Sequence, residues 1–126
     1  VHCCANTDWS IVLDTDIDIL SFDAYEFFDS LVLYRGKVRD FVQRGGILAW
    51  GIVPTSEKVH QETVGSLGDK LFAYIDRLTS FGIKEEELLS NFLITPSCGL
   101  GTTDEKTAEQ VLSLSYELSK SIRETL

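Results

Sequence analysis

Short apolar runs alternate with longer amphipathic stretches along the whole of this sequence, and that alternation constrains the fold more than any other feature. Val1–Cys4 (VHCC) has the character of a strand end, and Asp8–Leu13 that of a short helix. Asp18–Asp23 (DILSFD) and Ile47–Val53 (ILAWGIV) are compact apolar runs of the kind found in buried parallel strands. Between them, Ser30–Arg44 carries Leu31, Leu33, Tyr34, Val38, Phe41 and Val42 on a helical stripe, stopped by Gly45-Gly46. Glu62–Phe81 repeats Val64, Leu67, Leu71, Ile75 and Leu78 at helical steps and ends at Gly82. A short helix over Lys84–Ser90 precedes a fourth strand, Phe92–Thr95. A long helix then follows a cap at Thr103 or Asp104, with Ala108, Val111, Leu112, Ser115, Leu118 and Ile122 along one side.

Four strands alternating with helices, at roughly thirty residues per unit, is the spacing of consecutive parallel βα units. The expected fold is therefore α/β, specifically the C-terminal half of a (β/α)8 TIM barrel, with residues 1–126 forming one domain. A whole barrel needs about 250 residues, twice the length of this chain. A flavodoxin-like open sheet is the rival architecture, but it usually carries five strands and a ligand crevice at a topological switch point. The chain has no Met and opens inside an apolar run, which leads us to expect a fragment of a longer protein. Half a barrel has two edges of unpaired backbone groups, so homodimerisation through those edges is expected.

Charge and cysteine usage narrow the partners. With 11 Lys+Arg against 20 Asp+Glu, the net charge is −9, and the basic residues are scattered. That balance excludes a phosphate-backbone binder, because cationic side chains supply most of the affinity for nucleic acid. Three cysteines, two of them adjacent, make a poor secreted disulfide framework and favour a reducing, cytoplasmic setting. Acidic residues interrupt every apolar run, so no membrane span or signal segment is expected.

In parallel βα folds the chemistry sits where strands end and the following loops begin. Applied here, that rule selects His2, Cys3 and Cys4 in the first unit, Asp23 in the second, Trp50-Gly51 in the third and Cys98 in the fourth. His2 and Cys4 lie two apart on a strand and share a side. With Cys98 and Asp23 they form the kind of set, imidazole, two thiolates and a carboxylate, that holds tetrahedral zinc. A buried pair of thiols with no metal accounts for the same cysteines equally well.

The segments Val1-His2-Cys3-Cys4, Asp18–Asp23 and Ile94–Thr102 (ITPSCGLGT) resemble the C-terminal catalytic barrel of cobalamin-independent methionine synthase. The Pro-x-Cys-Gly-Leu setting of Cys98 is the most telling part, and the resemblance runs from Val1 to about Leu126. It implies zinc held by His2, Cys4 and Cys98, with Asp23 at the position where the family has a glutamate ligand. It also implies a methyltransferase that moves a methyl group to homocysteine to give methionine, from a methylated folate. Corrinoid-dependent thiol methyltransferases share the His-x-Cys and late-Cys pattern and are the nearest alternative. In that family the groups that grip the amino-acid end of homocysteine lie in the first half of the barrel, so this piece alone is expected to be inactive.

Other residues have simpler expected roles. Cys3 points into the strand–helix layer, Trp50 packs in the core or lines the mouth, and His60 is solvated. Asp23 can equally cap the next helix, with Glu26 as the spare carboxylate. Asp14, Asp16 and Asp18 form a solvated loop at the opposite end of the sheet. The Gly99-Leu100-Gly101 turn offers a rival function, phosphate binding at a helix N-terminus with no metal. A non-catalytic scaffold that only dimerises is the third class.

Overall fold

The computed structural model describes residues 1–3 and 8–125 of the chain. Its core is a four-stranded sheet built from β1 (His2–Cys3), β2 (Ile19–Phe22), β3 (Ile47–Val53) and β4 (Phe92–Pro96). The strands pair in the order β1-β2-β3-β4, and every pairing is parallel. The connections carry α1 (Trp9–Leu13), then α2 (Ala24–Val32) and α3 (Arg35–Gln43), then α4 (Val64–Ser80) and α5 (Glu85–Ser90). A single 3-10 turn (Glu57–Gln61) precedes α4, and α6 (Glu105–Thr125) follows β4. Among the described residues no helix is long and apolar enough to cross a membrane. The α/β expectation holds at this level; within one chain the sheet is open, with β1 and β4 as its edges.

Register explains which face is covered. Leu20 pairs with Leu48, and Phe22 with Trp50, so these side chains share one face, and all four are buried. Alternate positions point the other way. His2, Ser21, Ala49 and Leu93 align across that second face, where Ile19 and Leu93 are exposed. The helices therefore pack on one side only.

A chain of aromatic rings fastens that side. Trp9 of α1 meets Phe22 edge-on at 6.3 Å, and Phe22 leans on Trp50 at 5.3 Å. Phe28 of α2 stacks between Trp50 at 6.0 Å and Tyr74 of α4 at 4.0 Å. Trp9 also donates its indole N–H to Ser30 Oγ at 3.0 Å. The Trp50 indole N–H is buried there with no acceptor. Trp50 is thus a core residue on the helix side and does not line the rim.

The helical boundaries differ from expectation in two places. The expected Ser30–Arg44 helix is two helices, the first beginning at Ala24 under the Asp23 cap. The chain breaks at Leu33-Tyr34, which leaves Leu33 76% exposed and outside the core. On α6 the buried stripe is Thr107, Val111, Leu114, Leu118 and Ile122, and Leu112 faces out. Gly45 takes a positive φ of 94°, which ends α3 as expected. Gly46 has the Phe41 ring where a Cβ would sit.

Truncating the centre of the aromatic chain should be costly. Phe28→Ala is expected to lose about 3–5 kcal/mol of stability in urea unfolding. Leu33→Ser should stay within about 0.5 kcal/mol of the parent.

Candidate functional site at the C-terminal rim of the sheet

Parallel strands end on the same side of a sheet, so the four loops that follow them share one rim. Gly51, in β3, brings two of these loops together. A Cβ at Gly51 would run into the Phe22 carbonyl oxygen and lie 2.9 Å from Ser97 Cα. Only glycine lets the end of β4 lean across β3 toward the end of β2. The register between β3 and β4 shifts between Gly51 and Val53, which lets Pro96 pair with Val53. Ser97 N–H then donates to Val53 O at 2.8 Å, and its hydroxyl lies 3.3 Å from Thr55 Oγ1. Cys98, partly buried, follows directly on this fold-over.

At the end of β2, Asp23 is only 4% exposed. It is the N-cap of α2, accepting from Glu26 N–H at 2.9 Å, so the capping role weighed from sequence is present. Burial pushes its carboxyl above the ordinary value of 3.8, partly offset by the bond from Glu26 N–H and by nearby His2. Asp23 N–H in turn donates to Cys3 O at 3.4 Å, tying the ends of β1 and β2.

His2 pairs with Ser21 in register, and its Nδ1 lies 2.8 Å from Ser21 Oγ. Both therefore stand on the face that the helices leave open. With Nδ1 engaged, Nε2 is the ring nitrogen available to a ligand. Cys3 packs against the hydrophobic core, as expected from strand alternation. Cys4 lies outside the described residues. Among the described residues no group of three or more His, Cys, Asp or Glu side chains is arranged to hold a metal.

Glu26, the spare carboxylate, is engaged elsewhere: Lys58 Nζ approaches it at 2.8 Å. It belongs to an ionic brace that joins the loops after β2 and β3. Tyr25 donates its hydroxyl to Glu62 at 2.8 Å, and the Lys70 ammonium sits 3.9 Å from the centre of the Tyr25 ring. Burial and the Glu62 bond push the Tyr25 hydroxyl up to about 12. The Ser66 hydroxyl, aided by Tyr25 and Lys70, holds Glu62 below its ordinary range. Sequence reading missed this brace, because its members are far apart in the chain and carry no motif.

The start of α6 is occupied by its own carboxylates. Asp104 accepts from Thr107 N–H at 2.8 Å and from the Thr107 hydroxyl at 3.0 Å, which hold it below its ordinary value. Glu105 adds a second negative charge in the first turn. An incoming phosphate would meet these groups before the backbone N–H donors, which counts against the rival reading. His60 is exposed, with Nε2 3.0 Å from Thr107 Oγ1. Asp14, Asp16 and Asp18 are exposed at the opposite end of the sheet.

Comparison with models of known families, with curated proteins and with solved structures finds no match to the chain.

Two predictions test the geometry. Asparagine caps a helix about as well as aspartate, so Asp23→Asn removes the buried charge and keeps the cap. Below 3.8 the parent carboxyl is protonated in both the folded and the unfolded chain, so its burial costs nothing there. Above its raised folded value the full cost applies, so stability is lost as pH rises through that window. The melting temperature of Asp23→Asn relative to the parent should therefore rise between acid and neutral pH, whereas Asp23→Ala should cost about 1 kcal/mol. Gly51→Ala must displace backbone, and should lower stability by about 1–3 kcal/mol in the same unfolding assay.

Proposed function

We propose that this chain is the C-terminal half of a (β/α)8 barrel whose rim carries a zinc-dependent thiol methyltransferase site. His2, Cys4 and Cys98 would hold the metal, with Asp23 as the carboxylate. The acceptor is a thiol, homocysteine by the resemblance to cobalamin-independent methionine synthase, and the product is methionine. The donor is a methylated folate or, in the alternative member of the superfamily, a methylated corrinoid. A reducing cytoplasmic setting suits this thiol chemistry.

The observation that supports the reading is the close approach of Ser97 and the Phe22 carbonyl at Gly51, on the rim where Cys98 and Asp23 each follow their strands. His2 supports it from the adjacent strand, because the Ser21 contact orients its ring and leaves Nε2 for a ligand. The four candidate donors are soft thiolates, an imidazole and a carboxylate, a combination suited to zinc.

Zinc, if held by these residues, would supply the positive charge that favours the ionised form of an acceptor thiol near neutral pH, where a free thiol of pKa about 8.5 is mostly protonated. The chain's own groups do the rest. Ser21 fixes the His2 ring. Asp23 brings a carboxylate whose burial is only partly offset by backbone N–H groups and His2, so a metal cation held there would relieve part of that cost. The Phe22–Trp50 layer, on the helix side of the sheet, packs behind the strands that carry the site residues. Methyl transfer is a displacement at carbon: the thiolate sulfur would form the new S–C bond as the bond from the methyl carbon to the folate nitrogen or corrinoid cobalt breaks, its electron pair leaving with the donor, and no acid–base pair is needed on the acceptor side. The groups that grip the amino-acid end of homocysteine belong, by the resemblance, to the other half of the barrel, so this chain alone is expected to bind metal without turning over substrate.

Elemental analysis of protein purified without chelator tests the reading. About one zinc per chain, lost in Cys98→Ser with folding retained by circular dichroism, is the expected result. Absence of zinc after reconstitution, or zinc unaffected by Cys98→Ser, overturns it.

A further inference from the structure

Three buried side-chain polar atoms among the described residues have no hydrogen-bond partner: Trp50 Nε1, Glu87 Oε2 and Thr95 Oγ1. A polar atom sealed from water and left unpaired costs more than a hydrogen bond ordinarily returns. Trp50 stands among rings on the helix side of the sheet. Glu87 lies on α5, which leads into the start of β4, away from the rim. Thr95 is at the rim itself, three residues before Cys98.

Register fixes where Thr95 stands. Ile94 pairs with Trp50 and packs against the core, so Thr95, the next residue, faces the other way. It pairs with Gly51, one position beyond the row in which Trp50 meets Phe22 and Phe22 meets Cys3. Asp23 follows Phe22 by the same single step. Gly51 presents no side chain in this row, and the chain after β4 fills the place instead: Ser97 Cα lies 2.9 Å, and Pro96 O 3.1 Å, from where a Cβ would sit. The turn that leads to Cys98 therefore folds down over the row that holds Thr95. Pro96 has no polar side chain, and the Ser97 hydroxyl lies 3.3 Å from Thr55 Oγ1. The next acceptor on that turn is the Cys98 sulfur.

We propose that Thr95 is a positioning residue for the metal site, its hydroxyl donating to the Cys98 sulfur when that sulfur is a metal-bound thiolate. The inference rests on the zinc reading and deepens it. A neutral thiol accepts hydrogen bonds weakly, whereas a thiolate carries a full charge and accepts them well. The bond takes no room from an arriving substrate, because Thr95 Oγ1 is already sealed from solvent. It has two consequences. It fixes the orientation of Cys98 on a turn with open space beside Gly99 and Gly101. It also draws electron density from the sulfur, as hydrogen-bond partners of metal ligands do elsewhere.

Two variants of the full chain make the test: Thr95→Val keeps the shape and removes the hydroxyl, and Thr95→Ser keeps the hydroxyl. With zinc affinity read by competition against a chromogenic chelator, Thr95→Val should bind about 10–100-fold more weakly than the parent. Thr95→Ser should recover most of that loss. With cobalt(II) in place of zinc, the thiolate-to-cobalt charge-transfer band of Thr95→Val should move to lower energy, because a sulfur without the hydrogen bond gives up its electrons more readily. Without metal, Thr95→Val should melt no lower than the parent, since it buries no unpaired hydroxyl. A hydroxyl with a purely structural role gives the opposite pattern, a lower melting temperature with metal affinity and band unchanged. That pattern, or a Thr95→Val protein that matches the parent in affinity and band, overturns the inference and leaves the zinc reading standing. A parent that takes up neither metal after reconstitution overturns both.

Discussion

Everything in this molecule depends on a parallel ladder that adds its strands in chain order. Parallel strands need crossover connections, and these are almost always of one hand. When each crossover leads to the next neighbour in the same direction, every helix falls on the same side of the sheet. A doubly wound sheet reverses its strand order partway and so covers both faces; this one does not reverse. The burial of Leu20, Phe22, Leu48 and Trp50, against the exposure of Ile19 and Leu93, is the direct result. One face is packed with rings. The other is left for chemistry or for closure.

The strands were legible because their signal is local. Ile47–Val53 is a continuous apolar run with turn residues at both ends, and it folds with the bounds its sequence predicts. The helix after β2 was harder to place. Its start, Asp23 followed by Glu26, has the spacing of a capping signal, but Asp23 also stands where a metal ligand would, and the eye goes to chemistry first. On α6, both the expected stripe and the observed one contain Val111, Leu118 and Ile122. Periodicity alone leaves Leu112 and Leu114 as equal candidates. The choice is made by what lies opposite: α6 packs against β4 and α4, which buries Leu114 and leaves Leu112 outside.

The candidate site was legible in kind, and its assembly was not. Strand-end reasoning selects His2, Asp23 and Cys98 from three separate units. What lets the strand ends before the last two crowd together is Gly51, a residue with no side chain to attract notice. Its role is readable only once the Phe22 carbonyl is seen beside it. Asp23 likewise shows its tension only in three dimensions, as a carboxylate sealed from water whose own helix cap does not fully offset the burial.

The ionic brace makes the rim one body. Tyr25, Glu62, Lys58 and Glu26 tie the loops after β2 and β3 together, clamped further by Lys70 over the Tyr25 ring. The turn beyond Cys98 is joined to the same body by small groups: Leu100 packs against the core, and Thr103 donates its hydroxyl to Thr55 O at 3.3 Å. A side chain added at Gly99 or Gly101 would meet no atom within 4 Å. The cysteine turn is thus pinned at Leu100 and Thr103 with open space beside its glycines, so the room for an arriving molecule lies there and not on the β2–β3 side.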